Sequence, residues 1–285
     1  MIRKTKLSAV ILGLAVLAGA DIAAACSVAQ WGAGAPPGGG VVGAPVAGDP
    51  AANGVKRYGG LCGLRSAAPA NYVQDGTPAG ASEGAYIGRF YVFTGTGTGE
   101  ATIFQGVSGS ENIINIAYNN TGSQATSGFR FRKANGATFD EVANIRANSW
   151  YSIEFNWNRT AATLDVVVQG NGTAAVDPAA FTGHTSSGGT VGIDFVRLGW
   201  ISGGAGTEVV VDAFESRRAT AIGRLLRGDS NGSGSITIGD ATALVTEVNG
   251  GALAGGAGTN PAPECNEQGG ITIGDASCVV GIVNQ

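Results

Sequence analysis

Ser152-Ile-Glu-Phe-Asn-Trp157 alternates without a break: Ile153, Phe155 and Trp157 face one way, and Ser152, Glu154 and Asn156 the other. A period of two puts one side of a strand in a core and the other side outward. The same period recurs at Phe129 and Phe131 between Arg130 and Arg132, and at Leu164, Val166 and Val168 between Asp165, Val167 and Gln169. Tyr86–Phe93, Thr102–Gln105, Asn112–Tyr118, Gly192–Ile201 and Thr207–Glu215 also read as strands, separated by Gly, Asn and Ser clusters. About ten short strands with no helical period between residues 56 and 218 predict a mainly β fold, an antiparallel two-sheet sandwich. Its length is ample for one core.

Beyond residue 218 the pattern changes. Asp229-Ser-Asn-Gly-Ser-Gly-Ser-Ile-Thr-Ile-Gly-Asp240 sets oxygen side chains at its first, third and fifth places, Asp229, Asn231 and Ser233, with Gly234 at the sixth. Ser235 offers a carbonyl, Thr237 a hydroxyl or a bridging water, and Asp240 a closing carboxylate. A hard cation such as Ca2+ takes this shell of oxygens from a bendable loop. The spacing returns at Glu264, Asn266, Gln268, Gly269, Gly270, Thr272 and Asp275. After the first loop come Ile238, Ala241, Leu244, Val245 and Val248. After the second, in the same register, come Ile273, Ala276, Val279, Val280 and Val283. Each set is the apolar face of a short helix, and the two faces are expected to bury against each other.

The duplicated loop-helix over residues 227–285, with Ile-Gly-Asp closing each loop, resembles the dockerin family. The resemblance implies two EF-hand-like calcium sites, at Asp229, Asn231, Ser233, Ser235 and Asp240 and at Glu264, Asn266, Gln268, Gly270 and Asp275. It also implies a protein partner of the cohesin kind. Ser233, Glu264 and Gln268 stand where the family usually has aspartate, and Ile238-Gly239 and Ile273-Gly274 occupy its partner-contacting places.

Residues 56–218 are similar to the concanavalin A-like, laminin-G-like jelly roll. The resemblance is carried by Tyr72–Asp75, Tyr86–Val92, Ile103–Gly106, Trp150–Trp157, Val196–Gly199 and Val211–Ser216. It implies a fold that binds glycans or proteins and is sometimes enzymatic. The domain plan is then a leader over 1–25, a tether over 26–55, the sandwich over 56–218 and the loop-helix module over 219–285.

Arg3, Lys4 and Lys6 precede an apolar run from Ala9 to Ala20, followed by Ala23-Ala-Ala25, which reads as a secretory signal cleaved after Ala20 or Ala25. An alternative makes Cys26 a lipid carrier. The run is too short to span a membrane. Residues 30–52, rich in Gly, Ala, Pro and Val, read as a flexible tether or as an extended edge segment lying on the next domain. With 17 Lys+Arg against 21 Asp+Glu and no basic run, nothing points to a nucleic-acid partner. Four cysteines in an exported chain predict two disulfides, Cys265–Cys278 across the second loop and Cys26–Cys62.

No catalytic residue is expected. A paired-carboxylate glycosidase needs two acids close together on one face, yet Glu154 is the sole acid of its strand. Asp194 and Asp212 lie on separate strands, and Asp140 and Glu141 are adjacent. His184, the one histidine, falls in a stretch that reads as a loop. The aromatics Tyr91, Tyr118, Tyr151 and Trp200 are expected to fill the core rather than stack on sugars. Arg89, Arg130, Arg132 and Arg197 are expected on a solvated outer face. The sequence thus favours an exported, non-catalytic binding or adhesion protein for a glycan or surface ligand. A dockerin-bearing polysaccharide-degrading enzyme and a purely structural tail packed on the sandwich are the alternatives.

Overall fold

The computed structural model describes residue 28 and residues 40–48, 54–76, 84–133, 139–161, 163–170, 180–185, 192–204, 206, 208–251, 254 and 262–285. The expected leader, Cys26 and much of the expected tether lie outside them. Fourteen strands are described: β1 (Gly40–Val42), β2 (Val46–Gly48), β3 (Gly63–Ser66), β4 (Asn71–Asp75), β5 (Ala85–Phe93), β6 (Gly99–Ser108), β7 (Glu111–Asn120), β8 (Gly128–Lys133), β9 (Phe139–Val142), β10 (Trp150–Asn158), β11 (Thr163–Gly170), β12 (Ala180–Thr185), β13 (Phe195–Gly203) and β14 (Val209–Arg217). They form two seven-stranded sheets, ordered β1-β4-β13-β6-β7-β8-β9 and β12-β11-β10-β5-β14-β3-β2. The pairings are antiparallel throughout. Two helices follow, α1 (Ile238–Val248) and α2 (Ile273–Val283).

The alternation seen in the sequence builds the core. Ile153, Phe155 and Trp157 of β10 meet Phe90 and Val92 of β5 on one side, and Phe104, Ile114, Ile116 and Phe131 of the facing sheet on the other. Phe104 and Phe155 touch across the sandwich with ring centroids 4.8 Å apart. Gly88 makes room for this contact, since a Cβ there would lie 2.5 Å from the Phe155 ring.

Several expectations change. The strands number fourteen among the described residues, not about ten, because three- and four-residue strands such as β1, β2, β3 and β9 are too short to show a period. Within the expected tether, Gly40–Val42 pairs with β4 and Val46–Gly48 with β3, so this part is sheet edge, as the edge-segment reading had it. His184 lies in β12, paired with Leu164, and not in a loop. Arg89 is 4 % exposed rather than solvated.

Arg89 is covered because the tail packs on the outer face of the second sheet. Glu154 accepts the backbone N–H groups of Ile222 (3.0 Å) and Gly223 (2.7 Å). Arg89 donates to the carbonyls of Gly223 and Ala213 and to Glu215. The Tyr91 hydroxyl accepts from Leu225 N at 2.8 Å. Tyr58 stacks on Tyr91 at 3.7 Å and meets Trp150 edge-on, in a second buried cluster with Val55, Phe93, Val210 and Ala262. A bulge in β14 after Asp212 leaves its carboxylate accepting the N–H groups of Tyr58 (2.5 Å) and Gly59 (2.9 Å). Trp150 donates its backbone N–H to the Glu267 carbonyl (3.0 Å) and its indole N–H to the Gly269 carbonyl (2.7 Å). The buried Glu267 carboxylate is bonded by Arg224 and the Tyr58 hydroxyl, with Arg227 at 3.6 Å. Arg57, fully buried, pairs with Glu247 of α1.

The Cys265–Cys278 disulfide ties the second loop to α2, as expected. Cys62 is also disulfide-bonded. No helix among the described residues is long and apolar enough to cross a membrane.

Two stability predictions arise from this packing. Phe155→Ala should lower the unfolding free energy by about 3–5 kcal/mol, through lost burial plus a cavity at the centre of both sheets. Arg224→Ala leaves the Glu267 charge short of its main partner and should cost roughly 3 kcal/mol. Equilibrium urea unfolding measures both, and a normal midpoint for Arg224→Ala would show that the tail contact contributes little.

Candidate functional site

The two loops of the tail are built alike. In the first, Asp229 accepts from the backbone N–H groups of Ser233 (2.9 Å) and Gly234 (2.7 Å), while Asn231 Oδ1 accepts from Ser233 N at 2.8 Å. Gly234 sits at φ +84°, a left-handed conformation that suits glycine and turns the chain back toward Asp229. Ser233 Oγ donates to the Ser235 carbonyl at 3.1 Å, which keeps that carbonyl on the inside of the turn. In the second loop Gln268 N donates to Glu264 (3.2 Å) and to Asn266 Oδ1 (2.8 Å). Gly269 and Gly270 follow, Gly269 at φ +123°.

The closing aspartates have two tasks. Thr237 and Thr272 are the N-caps of α1 and α2, and Asp240 and Asp275 complete capping boxes at the third helical position. Asp240 also accepts from Asn231 N, and Asp275 from Cys265 N and Asn266 N, so each closing carboxylate draws the start of its loop against the start of its helix. Hydrogen bonds therefore link Asp229, Asn231, Ser233, Ser235 and Asp240 in the first loop and Glu264, Asn266, Gln268 and Asp275 in the second, where Gly270 follows in the turn without such a link.

The second loop carries an imbalance. Glu264 is fully buried, and its Oε2 has no hydrogen-bond partner among the described residues. Burial, then the adjacent Asp275 charge, pushes the Glu264 carboxyl up to about 9. A desolvated acid beside a second acid is the electrostatic complement of a cation. The donor set of both loops, carboxylate, amide, hydroxyl and carbonyl oxygens, fits a hard ion such as Ca2+ and not a thiophilic one. Among the described residues no group of three or more His, Cys, Asp and Glu side chains gathers, in these loops or outside them.

Loop two is also part of the contact with the sandwich. Its fourth residue, Glu267, lies at φ +58°, where the first loop has Gly232 at φ +69°. A non-glycine residue in this region is strained, and here the side chain that causes the strain is the one held by Arg224 and Tyr58.

The helix pair buries less of its apolar stripe than its sequence implies. Ala241, Leu244, Ala276 and Val279 pack together with Cys265 and Ala254. Ile238 and Ile273 are 61 % and 59 % exposed, and Val245, Val248, Val280 and Val283 are exposed as well. Residues at i and i+3 fill a two-helix contact, and those at i+4 and i+7 are left outside it. The result is an open groove of about 510 Å³ between the helices. Ile238, Ala241, Thr242 and Val245 line it on one side and Ile273, Ala276, Ser277 and Val280 on the other. This apolar groove was not foreseen: the sequence shows the stripe, but not which half of it is used.

On the sandwich, the acids considered for catalysis have structural partners. Glu154 holds the linker to the tail, Asp212 the segment at Tyr58, and Glu141 pairs with Arg130. Asp194 accepts from Gly109 N at 2.7 Å and from Ser108 Oγ. Burial pushes the Asp212 carboxyl up to about 7 against the opposing pull of the backbone N–H groups it accepts. Tyr118, Tyr151 and Trp200 are buried in the core, as expected, whereas Tyr91 is buried on the outer face of the second sheet beneath the linker to the tail.

No family model matches the chain, and no curated protein matches it. Among solved structures it is similar to the alginate lyase from Klebsiella pneumoniae (TM-score 0.36, 11 % identity, 48 % of this chain and 60 % of that one). It is similar to the receptor-binding domain of botulinum neurotoxin type G (TM-score 0.38, 12 % identity, 65 % and 43 %). It is also similar to the CBM2 module of the evolved Dit of Lactobacillus casei BL23 phage J-1 (TM-score 0.36, 10 % identity, 64 % and 78 %). The chain spans 60 % and 43 % of the length of the first two. These likenesses, all below a TM-score of 0.5, are too slight to bear on function.

Proposed function

We propose that the chain is an exported, non-catalytic binding protein. In this reading a β-sandwich meets a glycan or surface ligand, and a calcium-binding helix pair offers its groove to a protein partner of the cohesin kind. The observation that supports the calcium part is the buried Glu264 carboxyl set against the Asp275 carboxyl, in a loop whose donor spacing is repeated in the loop before α1. A bound calcium ion would supply the positive charge that this carboxylate pair lacks. The structural engagement of Glu154, Asp194 and Asp212 supports the non-catalytic part. Turnover of a polysaccharide that is lost on substituting Glu154 or Asp194 would overturn it. The leader sequence and the disulfides support export.

Calorimetric titration of the mature chain with calcium should show two ions bound. Asp229→Ala should remove one and Glu264→Gln the other, and no heat with the unsubstituted chain would end the calcium reading. A cohesin-type module presenting an apolar face should bind the chain, and Val245→Arg together with Val280→Arg should abolish that complex while both ions remain bound.

Stability should also depend on pH in a defined direction. Glu264 keeps its proton in the folded chain up to about pH 9, but in the unfolded chain releases it near its ordinary value of 4.5. Between these limits the folded state binds more protons, so stability falls as pH rises. Asp212 adds the same trend only up to about pH 7. The decline between about pH 7 and about pH 9 is then the share of Glu264. Thermal unfolding with a chelator should show that decline, while excess calcium or Glu264→Gln should flatten it. A decline of equal size in all three would refute the assignment.

A further inference from the structure

The outer face of the first sheet is the one the tail does not occupy. A single row of side chains crosses it: Gln74, Arg197, Gln105, Asn115, Arg132 and Phe139 are successive register partners over β4, β13, β6, β7, β8 and β9. Five strand spacings make the row about 24 Å long, enough for several linked pyranose rings.

Its centre of charge is Arg197. Gln74 Oε1 accepts from Arg197 Nε at 2.8 Å, and Gln105 Oε1 from its terminal nitrogen at 3.4 Å. The rings of Tyr72 and Phe195 lie 5.3 and 5.1 Å from the guanidinium carbon. Two amides and two rings thus fix the plane of the guanidinium, and no carboxylate pairs with it among the described residues. Arg130 and Arg132 differ, because Glu100 and Glu141 neutralise them. Beyond Arg197 the row continues through Gln105, 6 % exposed, and Asn115 to Arg132, which is paired with Glu100. Asn115 Oδ1 and Arg132 Nε are buried polar atoms with no hydrogen-bond partner among the described residues, and Phe139, 38 % exposed, closes the far end beneath Arg130.

A preorganised guanidinium without its own counter-ion takes a planar carboxylate. Amide and guanidinium groups in line with it take hydroxyls, and aromatic rings at both ends take the apolar faces of sugars. We propose that this row binds a carboxylated polysaccharide, a chain of linked uronate sugars, with one carboxylate on Arg197 and neighbouring rings running over Gln105 and Asn115 toward Phe139. The inference rests on the glycan-binding reading of the sandwich, and it gives that reading a place and a ligand class.

Affinity electrophoresis of the mature full-length chain in gels containing polygalacturonate, beside gels containing a neutral β-glucan, tests it. Calcium-free buffer keeps ion bridging by the tail out of the measurement. Retardation by polygalacturonate is expected, weakened about tenfold or more in Arg197→Gln, which removes the charge but keeps a polar side chain. Asn115→Ala, away from the charge, should weaken it several-fold, and it decides the matter if Arg197→Gln does not fold by its thermal transition. Equal retardation of the parent and both variants would overturn the site. Retardation by the neutral glucan alone would overturn the uronate assignment and leave glycan binding standing. Retardation by neither polymer would overturn both.

Discussion

Glu267 is buried where the sandwich and the tail meet, and much of the molecule's arrangement depends on how its charge is satisfied. A carboxylate removed from water costs several kcal/mol unless it is bonded on most sides. Arg224 and Tyr58 bond it, Arg227 lies nearby, and its own backbone carbonyl receives the Trp150 N–H. These partners come from three parts of the chain: the segment before β3, the start of β10 and the linker after β14. Each is directional, so satisfying Glu267 fixes the second loop against the sheet more closely than apolar contact between Tyr58, Tyr91 and Trp150 could do alone. The positive φ at Glu267 is accepted for that reason. Burial of the Tyr58 hydroxyl beside Glu267 raises its pKa well above the ordinary value, so it remains a neutral donor.

Much of the fold was legible in the sequence. The inward parities of β8, β10 and β11 follow from alternation alone, because a core on one side leaves a period of two that no other constraint erases. The paired loops were equally plain, since Gly234, Asp240 and their counterparts repeat at fixed spacing. What the sequence could not convey was the environment of the outward parity. Arg89 and Arg197 have the same kind of setting, an arginine between core residues of a long strand. One lies under the linker and donates to Gly223 and Ala213, and the other lies on the outer face of the other sheet between two glutamines. That difference is set by contacts 92 to 134 residues apart, which no local pattern records. Trp150 lies on the opposite parity from the inward Tyr151, and it is buried there by Tyr58 and Phe93 together with the second loop of the tail.

The helices illustrate the same limit. Their duplicated stripes are wider than a two-helix contact can bury, so one half forms a core and the other a groove. Only the set of partners decides which. Cys265 and Ala254 fill the space on one side, and no described residue fills the other.

The two outer faces of the sandwich consequently have different fates. Packing the tail on β10, β5 and β14 removes Arg89, Glu154, Tyr91 and Trp150 from solvent and leaves the face of β4, β13, β6, β7 and β8 as the broad polar surface of this unit. The tail in turn presents its groove on the side away from its own core. Loop two joins them: Glu264 and Asp275 are the residues proposed to take a cation, and the carbonyls of Glu267 and Gly269, in the same turn, hold Trp150. Ion chemistry and module packing therefore share one stretch of backbone. Anything that tightens the loop around Glu264 acts on atoms that already anchor the tail to the sheet, so the charge at one end of this turn and the orientation of the whole helix pair are parts of a single constraint.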